Sequence, residues 1–420
     1  MYKNHKRDFY FLWAGQSLNV LGDQILMVAL PLFALSIPGV LESEAALLRF
    51  AFFLPFLLFS LFAGVIVDRL PLKRVMLVCD SIQASTFLLI VVLAWFKLLS
   101  LMLLLGLVFV SGCVLVFFQI AYSSYLPELF SNHNEIQNGN ARLFFSESTA
   151  RALGPLLAGP LIAFLGIMLT IFMNCLTFVI SVLTLFAIRQ KSESPRKLNQ
   201  SNQPFFRDIK EGLLFILRHD KLEPVITCGG LYVLFLSMVT SCLVIYCDRV
   251  LNLSPMMIGI VVGSAAIGLP FGNLLAPKIA KKYGSSQTLV LGALISVSGI
   301  FGIPMSGALH SPIFLIITGI VHGVGEGLFG PTSLTLRQLE TPKQLLGRIN
   351  SVQRWLLWGM IAVGSLLASL LIYLWGISSA LWIGGTGSML CLIPLVRRGI
   401  LQDILRQEKY KFSESEEVRT

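Results

Sequence analysis

The stretch Gly64–Arg74 reads GVIVDRLPLKR and lies between two apolar runs that are each long enough to cross a bilayer. Gly64 carries no side chain, so it would let two helices approach each other closely. Pro71 ends any helical continuation, because its ring removes a backbone hydrogen-bond donor and clashes with the preceding turn. The pattern therefore predicts a short turn between two membrane-spanning helices.

The order of charges in this turn is its most specific feature. Asp68 and Arg69 follow the glycine after three residues, and Lys73 and Arg74 close the stretch. Asp80 lies about a turn and a half beyond Arg74, where it is placed to pair with these basic residues. A carboxylate also gains stability beside the N-terminal end of a neighbouring helix. We therefore expect a charged turn held at a membrane surface.

The composition indicates an integral membrane protein. Of the 420 residues, 55% are hydrophobic and 13% are charged, whereas soluble domains carry roughly 25% charged residues. The net charge of +10 lies mostly in short turns beside apolar runs. Such a distribution indicates orientation signals and contacts with anionic lipids. We expect no nucleic-acid partner.

The seven cysteines lie almost entirely inside apolar stretches, and no two of them form a CxxC pair. This pattern predicts neither a disulfide framework nor a metal site. The chain also lacks the GxxxxGK[ST] loop that would bind the phosphates of ATP, and we expect no cofactor.

Twelve apolar runs reach the length of about 20 residues that a transmembrane helix needs. Their limits are 9–36, 45–67, 75–96, 100–125, 143–165, 168–188, 223–246, 255–277, 286–306, 312–334, 350–373 and 376–396. The only long polar stretch divides these runs six and six. The predicted domains are a six-helix bundle over 1–188, a central loop over 189–222, a second bundle over 223–397 and a tail over 398–420.

Basic residues accumulate on one side of the predicted spans, in the N-terminus, the first turn, the central loop and the tail. The positive-inside rule therefore places both termini and the central loop in the cytoplasm and the chain in the cytoplasmic membrane. Within the loop, FFRDIKEGLLFILRHD (205–220) has apolar residues at helical spacing. This segment is predicted to be an amphipathic helix on the membrane surface.

The two halves of the chain repeat. Ala152–Leu161 aligns with Ala362–Leu371 at an offset of 210, and Asn140 aligns with Asn350 at the same offset. The glycine of the opening turn recurs as Gly272 at an offset of 208. Two parallel repeats predict an all-α membrane protein with twelve helices in two pseudo-symmetric six-helix bundles.

The opening turn resembles the loop signature between the second and third helices of major facilitator superfamily transporters. Pro71 stands where that family often has a second glycine. The resemblance implies that the turn acts as a gate and that a substrate binds near the midplane, at the interface of the two bundles. The expected gating residues are Gly64, Asp68, Arg69, Lys73, Arg74 and Asp80.

Other stretches resemble one group within this superfamily. Phe9–Gln16 and Leu346–Ser351 are similar to macrolide-efflux and enterobactin-exporter-like facilitators. Gly154-Pro155 and Gly159-Pro160 resemble the antiporter motif in the fifth helix of proton-driven drug exporters. The resemblance implies export by proton antiport. Ser111 stands where many drug antiporters carry an arginine in the fourth helix, so another residue would have to couple protons.

Ionisable residues inside spans are costly and mark candidate functional sites. His322 and Glu326 lie four residues apart in the tenth span, with His322 about 15 Å from the outer edge. Histidine changes charge near neutral pH, so this pair is the leading candidate for proton coupling. Alternatively, His322 hydrogen-bonds a neighbouring helix while Glu326 faces an aqueous vestibule. The surrounding glycines 319, 323, 325, 327 and 330 indicate close helix packing.

Two further proton-coupling candidates have structural alternatives. Asp23 shares a face of the first span with Asn19. It either carries protons, makes an inter-helix hydrogen bond, or is an acid near the outer vestibule. Glu147 and Arg151 lie four residues apart, so they can form a pair on one helix face. They either close the cytoplasmic side as a structural pair or exchange a proton as the gates alternate.

Polar and aromatic side chains inside spans are candidates for lining a cavity that accepts a large amphipathic ligand, although a core or lipid-facing place is the alternative for each. They are Gln24, Gln119, Tyr122, Tyr232, Phe235 and Trp358.

Together these features predict a secondary exporter of an amphipathic small molecule, such as a drug, a macrolide or a siderophore, driven by proton entry. The expected partners are the small-molecule substrate, protons and membrane lipids, and we expect a monomer. An importer or facilitator of a metabolite on the same fold is the nearest alternative. A membrane-embedded enzyme is a more distant one, since it would need His, Asp and Glu clustered at one interface, whereas the ionisable residues here form scattered pairs.

Overall fold

A computed structural model describes residues 2–67, 69–130, 133–189, 205–309, 311–342 and 345–396. Its helices are α1 (Tyr2–Leu35), α2 (Glu42–Val67), α3 (Leu72–Trp95), α4 (Leu101–Leu129), α5 (His133–Leu165), α6 (Ile167–Ala187), α7 (Phe205–Arg218), α8 (Leu222–Arg249), α9 (Pro255–Tyr283), α10 (Ser285–Ala308), α11 (Pro312–Glu340), α12 (Leu346–Trp375), α13 (Ile377–Gly387) and α14 (Leu392–Leu395).

The described residues form twelve helical stretches that are long and apolar enough to cross a membrane. The last of them, Ile377–Leu395, contains α13, a short 3-10 turn and α14. No strand occurs in the described part of the chain. The all-α prediction with twelve spans is confirmed. Several helices begin before the apolar runs do, because polar residues that lie outside a bilayer still continue a helix.

The internal repeat is visible in the backbone. Gly166 joins α5 to α6 with φ 81° and ψ 161°, and Gly376 joins α12 to α13 with φ 81° and ψ 166°. Positive φ is readily available only to glycine. The two glycines differ in number by 210, which equals the larger offset of the sequence repeat. The same tight connection therefore closes the fifth span in both halves.

Two compact units can be distinguished. The N-terminal unit comprises the described residues up to 189 together with 243–263, and the C-terminal unit comprises 205–242 together with the described residues from 264 onward. The end of α8 and the start of α9 thus belong to the N-terminal unit. The domain boundary at 189–222 stays a prediction.

In the N-terminal unit, α6 packs against both α1 and α3, while α4 packs against α2 and α3. A buried apolar cluster that includes Phe9, Met76, Tyr125 and Leu129 fills the space between these helices. A polar face of α6 lies against α1 and α3.

In the C-terminal unit, α10 packs along α11, and α13 packs on α10. The predicted amphipathic helix is present as α7, which packs on α12. Its Ile216 is buried in the apolar core, whereas Leu217 is exposed. Glu211 of α7 accepts a hydrogen bond from Arg348 of α12 at 2.5 Å.

Candidate functional site

A buried polar network in the C-terminal unit contains the predicted pair on α11. Nε2 of His322 lies 3.7 Å from Oε2 of Glu326. On the other side of the imidazole ring, Nδ1 lies 2.9 Å from Oγ of Ser296 on α10. The Ser296 hydroxyl in turn lies 2.9 Å from the phenol oxygen of Tyr232 on α8. The network therefore joins three helices through one histidine.

The network has one accessible end and one buried end. His322 is only 5% exposed, whereas the side chain of Glu326 is 44% exposed. A proton arriving at Glu326 would reach the imidazole next, then the hydroxyls of Ser296 and Tyr232. Proton transfer requires donors and acceptors within hydrogen-bond reach, and apo geometry is often looser than the working geometry. The arrangement is suited to taking up and releasing a proton.

Glycines bring α10 and α11 close enough to form this network. A Cβ atom on Gly299 would collide with the backbone of His322, and one on Gly325 would collide with the backbone of Ser296. The close packing predicted for the glycines of this span is confirmed at 319, 323, 325 and 327. It is wrong for Gly330, where a Cβ would meet nothing within 4 Å.

The sequence predicted the His322–Glu326 pair but missed its extension. The geometry agrees with the structural alternative, since His322 contacts Ser296 of a neighbouring helix while Glu326 is partly exposed. Proton coupling by the pair stays a prediction. Tyr232 was predicted to line a cavity, and its hydroxyl is instead bonded within the network. Ser296 could have been suspected only as a polar residue inside an apolar run.

Glu147 and Arg151 form the pair expected from their spacing. Nη2 of Arg151 donates to Oε1 of Glu147 at 2.6 Å. Both side chains are largely accessible. The pair is thus an exposed ion pair on α5, and whether it takes part in proton exchange stays a prediction.

The predicted partner of Asp80 is wrong. Asp80 is buried at 1% exposure, and its Oδ2 accepts a hydrogen bond from Oγ of Ser181 on α6 at 2.6 Å. The basic residues of the opening turn are not its partners in the described structure. The sequence places Asp80 in the helix after the turn, and the side chain points into the helix packing because it faces α6 rather than the turn. Lys73 donates instead to the carbonyl oxygen of Ile188 at 2.5 Å.

The remaining members of the predicted gate differ from one another. Asp68 lies outside the described residues. Arg69 and Arg74 are exposed. The close approach predicted at Gly64 is wrong, because a Cβ atom there would meet nothing within 4 Å. The repeat-related Gly272 does mediate such an approach, against the backbone of Val324 in α11.

The Gly-Pro motif in α5 lies at a close helix contact. A Cβ on Gly159 would lie 2.6 Å from the carbonyl oxygen of Pro255 and 2.8 Å from Cα of Met256, at the start of α9. A Cβ on Gly259 would lie 2.6 Å from the carbonyl oxygen of Pro155. Both distances are too short for a side chain, so glycine is required on both helices. This contact lies within the N-terminal unit.

Two other predicted residues also have specific neighbours. Gln24 of α1 packs against Gly154 of α5, where no larger residue would fit. Ser111, which stands where an arginine was expected by resemblance, is buried and exchanges two hydrogen bonds with Gln83 of α3, at 2.7 and 3.0 Å. A neutral pair therefore occupies that place.

The predicted cavity residues are divided between the units, three in each, and all six are partly buried. Tyr122 stacks on Phe118, with 5.9 Å between the ring centroids. Phe235 packs against Gly387, leaving no room for a Cβ there. A cavity lined jointly by these residues stays a prediction.

The twelve spans, the backbone repeat and the buried ionisable network define a class of protein, the multi-pass membrane transporters. The sequence model of the Major Facilitator Superfamily matches residues 12–361, and the chain belongs to that superfamily. It is therefore a transporter and not an enzyme. This agrees with the resemblance seen in the opening turn.

Individual relatives are distant. Macrolide efflux protein A of Streptococcus pyogenes is 23% identical over 403 residues, which cover 94% of this chain and 96% of the relative. The uncharacterized MFS-type transporter YfiS of Bacillus subtilis is 25% identical over 418 residues, covering 94% and 93% of the two chains. Among solved structures, a mutant of the nucleoside transporter NupG superposes with a TM-score of 0.75 at 11% identity, covering 93% of this chain and 99% of its own. The human organic anion transporter MFSD10 superposes with a TM-score of 0.62 at 17% identity, covering 93% and 99%.

Proposed function

We propose that the protein exports an amphipathic small molecule across the cytoplasmic membrane in exchange for protons. The observation that carries the proposal is the network of Glu326, His322, Ser296 and Tyr232, which joins a partly exposed carboxylate to a buried imidazole. Ionisable groups inside a membrane protein are expensive to maintain and usually mark ion or substrate pathways. Each proton that enters through 100 mV supplies about 2.3 kcal/mol from the potential alone.

The charge of the network explains how exchange would work. With protons bound, His322 and Glu326 together are neutral or carry one positive charge; with both protons lost they carry one negative charge. A negative charge in the protein interior needs compensation. A cationic substrate would supply it, and a returning proton would expel that substrate. Proton release and substrate binding would thus be linked in one site.

The substrate class is proposed from the relatives and from the chemistry of the partly buried residues. Three of the matched relatives carry the name macrolide efflux protein A, which supports export of a large amphipathic compound. Siderophores belong to the same proposal because the sequence also resembles enterobactin-exporter-like facilitators. Import of a metabolite is the second candidate. The likeness to a nucleoside transporter is at 11% identity and bears on the fold alone.

Export can be tested in bacterial cells that lack their own major efflux pumps. Cells that express the protein should accumulate less of at least one macrolide or siderophore than cells without it, and a protonophore should abolish the difference. Glu326→Gln should also abolish it. Glu135→Gln, at the start of α5 and outside the network, is the matched control and should export normally. Uptake of substrate driven by an inward substrate gradient alone, with no effect of the protonophore, would instead favour the importer.

The proposed orientation places both termini and the central loop in the cytoplasm. A cysteine introduced at Ser192 should react only with reagents that cross the membrane, and labelling by an impermeant reagent from outside intact cells would contradict this orientation.

The proposed gate is tested separately. Asp68→Asn should slow transport while leaving the amount of folded protein unchanged, because a loop that switches between two states needs only a few kcal/mol of bias.

A further inference from the structure

The sixth helix carries a stripe of polar side chains. Its members are Thr170, Asn174, Thr177, Ser181 and Thr184, which recur at helical spacing. A bilayer offers no water to such groups, so they are expected to face other polar groups of the protein. Because α6 packs against both α1 and α3, the stripe lies against two helices.

One carboxylate from each of these two helices meets the stripe. Oδ2 of Asp80, on α3, accepts a hydrogen bond from Oγ of Ser181 at 2.6 Å. Asp23, on α1, lies beside the amide of Asn174 and within electrostatic range of Asp80. Asp80 is fully buried, whereas Asp23 retains partial exposure. The stripe therefore brings together two acids that are far apart in sequence.

In the described part of the chain, no basic group compensates these two acids. Neither carboxylate forms an ion pair there, and the electrostatic neighbours of Asp80 include no lysine or arginine. Among the described residues, the thiol of Cys79 on α3 lies within electrostatic range of Asp80, and the thiol of Cys175 on α6 donates to the carbonyl oxygen of Ala84 on α3 at 3.2 Å. Thiols supply no positive charge. Two uncompensated carboxylates cannot both remain charged in such surroundings, so the pair must hold a proton or another cation.

Two buried amide atoms beside the carboxylates have no hydrogen bond of regular geometry. They are Oδ1 of Asn19 and Nδ2 of Asn174, and both residues are only 2% exposed. Asn19 lies one turn before Asp23 on the same face of α1, and the Asn174 side chain packs against α1 at Gly22. A buried polar atom without a partner is costly. A cation bound here would take Oδ1 of Asn19 as a ligand, whereas Nδ2 of Asn174 is a donor whose neighbour is the carboxylate of Asp23.

We propose that Asp23 and Asp80, with Asn19 and Asn174, form a monovalent-cation site in the N-terminal unit. The acceptor atoms are all oxygens, which suit a proton or a sodium ion rather than a soft metal. Asp23 is the entry point because it is partly exposed, and Asp80 holds the ion because Ser181 fixes its orientation. A proton would form one O–H bond as a hydronium ion reverts to water, and a sodium ion would replace water ligands with carboxylate and amide oxygens. The site lies in a different unit from His322, and its test does not depend on the exported compound.

The site can be tested on the purified full-length protein in detergent. All seven cysteines are free and six are buried, so a thiol-reactive dye reports unfolding directly. We would measure the Tm while NaCl replaces choline chloride at constant pH, and separately while the pH is lowered from about 8 to about 5 without sodium. An ion that binds the folded state raises the Tm. We expect a rise of at least about 2 °C with one of the two ions, which identifies the ion.

Two variants decide whether this response comes from the proposed site. Asp80→Asn should lose the response, because the amide still accepts a hydrogen bond from Ser181 but carries no charge. If Asp80→Asn does not fold, Asp23→Asn takes its place, since its side chain is partly exposed. Glu135→Gln, at the start of α5 and outside both polar clusters, should keep the full response. The proposal is overturned if the wild type and the aspartate variant respond alike to both ions, or if Glu135→Gln loses the response as well.

Discussion

The polar cluster of the C-terminal unit joins a base to an acid, whereas that of the N-terminal unit joins two acids. Nδ1 of His322 is within hydrogen-bond distance of Ser296, and Nε2 lies 3.7 Å from the carboxylate of Glu326. Asp23 and Asp80 have amides and a hydroxyl around them and no basic side chain in the described structure. The C-terminal cluster can thus hold or lose a proton with a modest change in charge. The N-terminal cluster is proposed to bind a positive ion that offsets its two acids.

This difference indicates a division of labour between the repeats. The cluster of Glu326, His322 and Ser296 can bind and release a proton as substrate is released and bound, because neighbouring polar groups stabilise both of its charge states. Under the proposal above, a cluster that binds a positive ion in the folded protein would supply additional driving force if that ion crossed the membrane in each cycle. The two repeats share a backbone connection at Gly166 and Gly376, yet they differ in the chemistry of their interiors.

The largest expected effect comes from Glu326→Gln. Without the carboxylate, His322 loses its accessible proton partner, so export against a gradient should fall by roughly 10²-fold, the order that positioned acid–base groups contribute. Downhill exchange of substrate should persist. Transport into proteoliposomes with and without a pH gradient measures both. Glu135→Gln should behave as the wild type, and uphill transport by Glu326→Gln with an unchanged pH dependence would show that coupling lies elsewhere.

A smaller effect is expected from Asp80→Asn. If the acid pair carries one cation per cycle, the variant should move one charge fewer for each substrate molecule. At 100 mV one charge is worth about 2.3 kcal/mol, or roughly 50-fold in the limiting concentration ratio. Reversal potentials measured in proteoliposomes give this stoichiometry. An unchanged charge stoichiometry would mean that the acid pair binds its ion without transporting it.

Tyr232→Phe should have a more modest effect, since it removes one hydroxyl from the network and leaves the ring in place. One such hydrogen bond is worth about 0.5–1.5 kcal/mol, so the midpoint of the pH profile of export should move by no more than about one unit. Uphill transport should continue. Tyr122→Phe, on a phenol that stacks on Phe118 in the other unit, is the matched control and should leave the midpoint in place. Complete loss of coupling in Tyr232→Phe would make the phenol an essential proton carrier.

Much of the fold could be predicted because it depends on local signals. The length of each apolar run predicts a membrane-spanning helix, and the constant offset between similar segments predicts that the two halves have the same fold. The His322–Glu326 pair was also local, since residues four apart on a helix are neighbours. The helix α7 was predicted from spacing alone, and its bounds at Phe205–Arg218 agree closely with the predicted segment.

The acid pair could not be predicted, because it depends on which helices are neighbours. Asp23 and Asp80 meet only because α6 lies against both of their helices. The sequence shows that Ser181 and Asn174 share a face with other polar residues, and this stripe was the available signal. Proximity in sequence suggests the basic residues of the preceding turn as partners of Asp80, whereas the packing of α6 gives it Ser181 instead. Gly64 was misjudged for the same reason, since the sequence does not show which glycine faces a neighbouring helix.

The smallest effect is expected at the exposed pair of Glu147 and Arg151, which contrasts with both buried clusters. An exposed pair at this spacing contributes about 0.3–0.5 kcal/mol, so Glu147→Gln should lower the Tm by no more than about 2 °C. The same change in Glu211, which pairs with Arg348 on the other unit's surface, should give a similar shift and is the control. Uphill export should be retained in both variants if these pairs are structural. Loss of export in Glu147→Gln alone, at normal stability, would instead assign Glu147 a part in proton exchange, because a surface ion pair of this strength cannot account for such a loss.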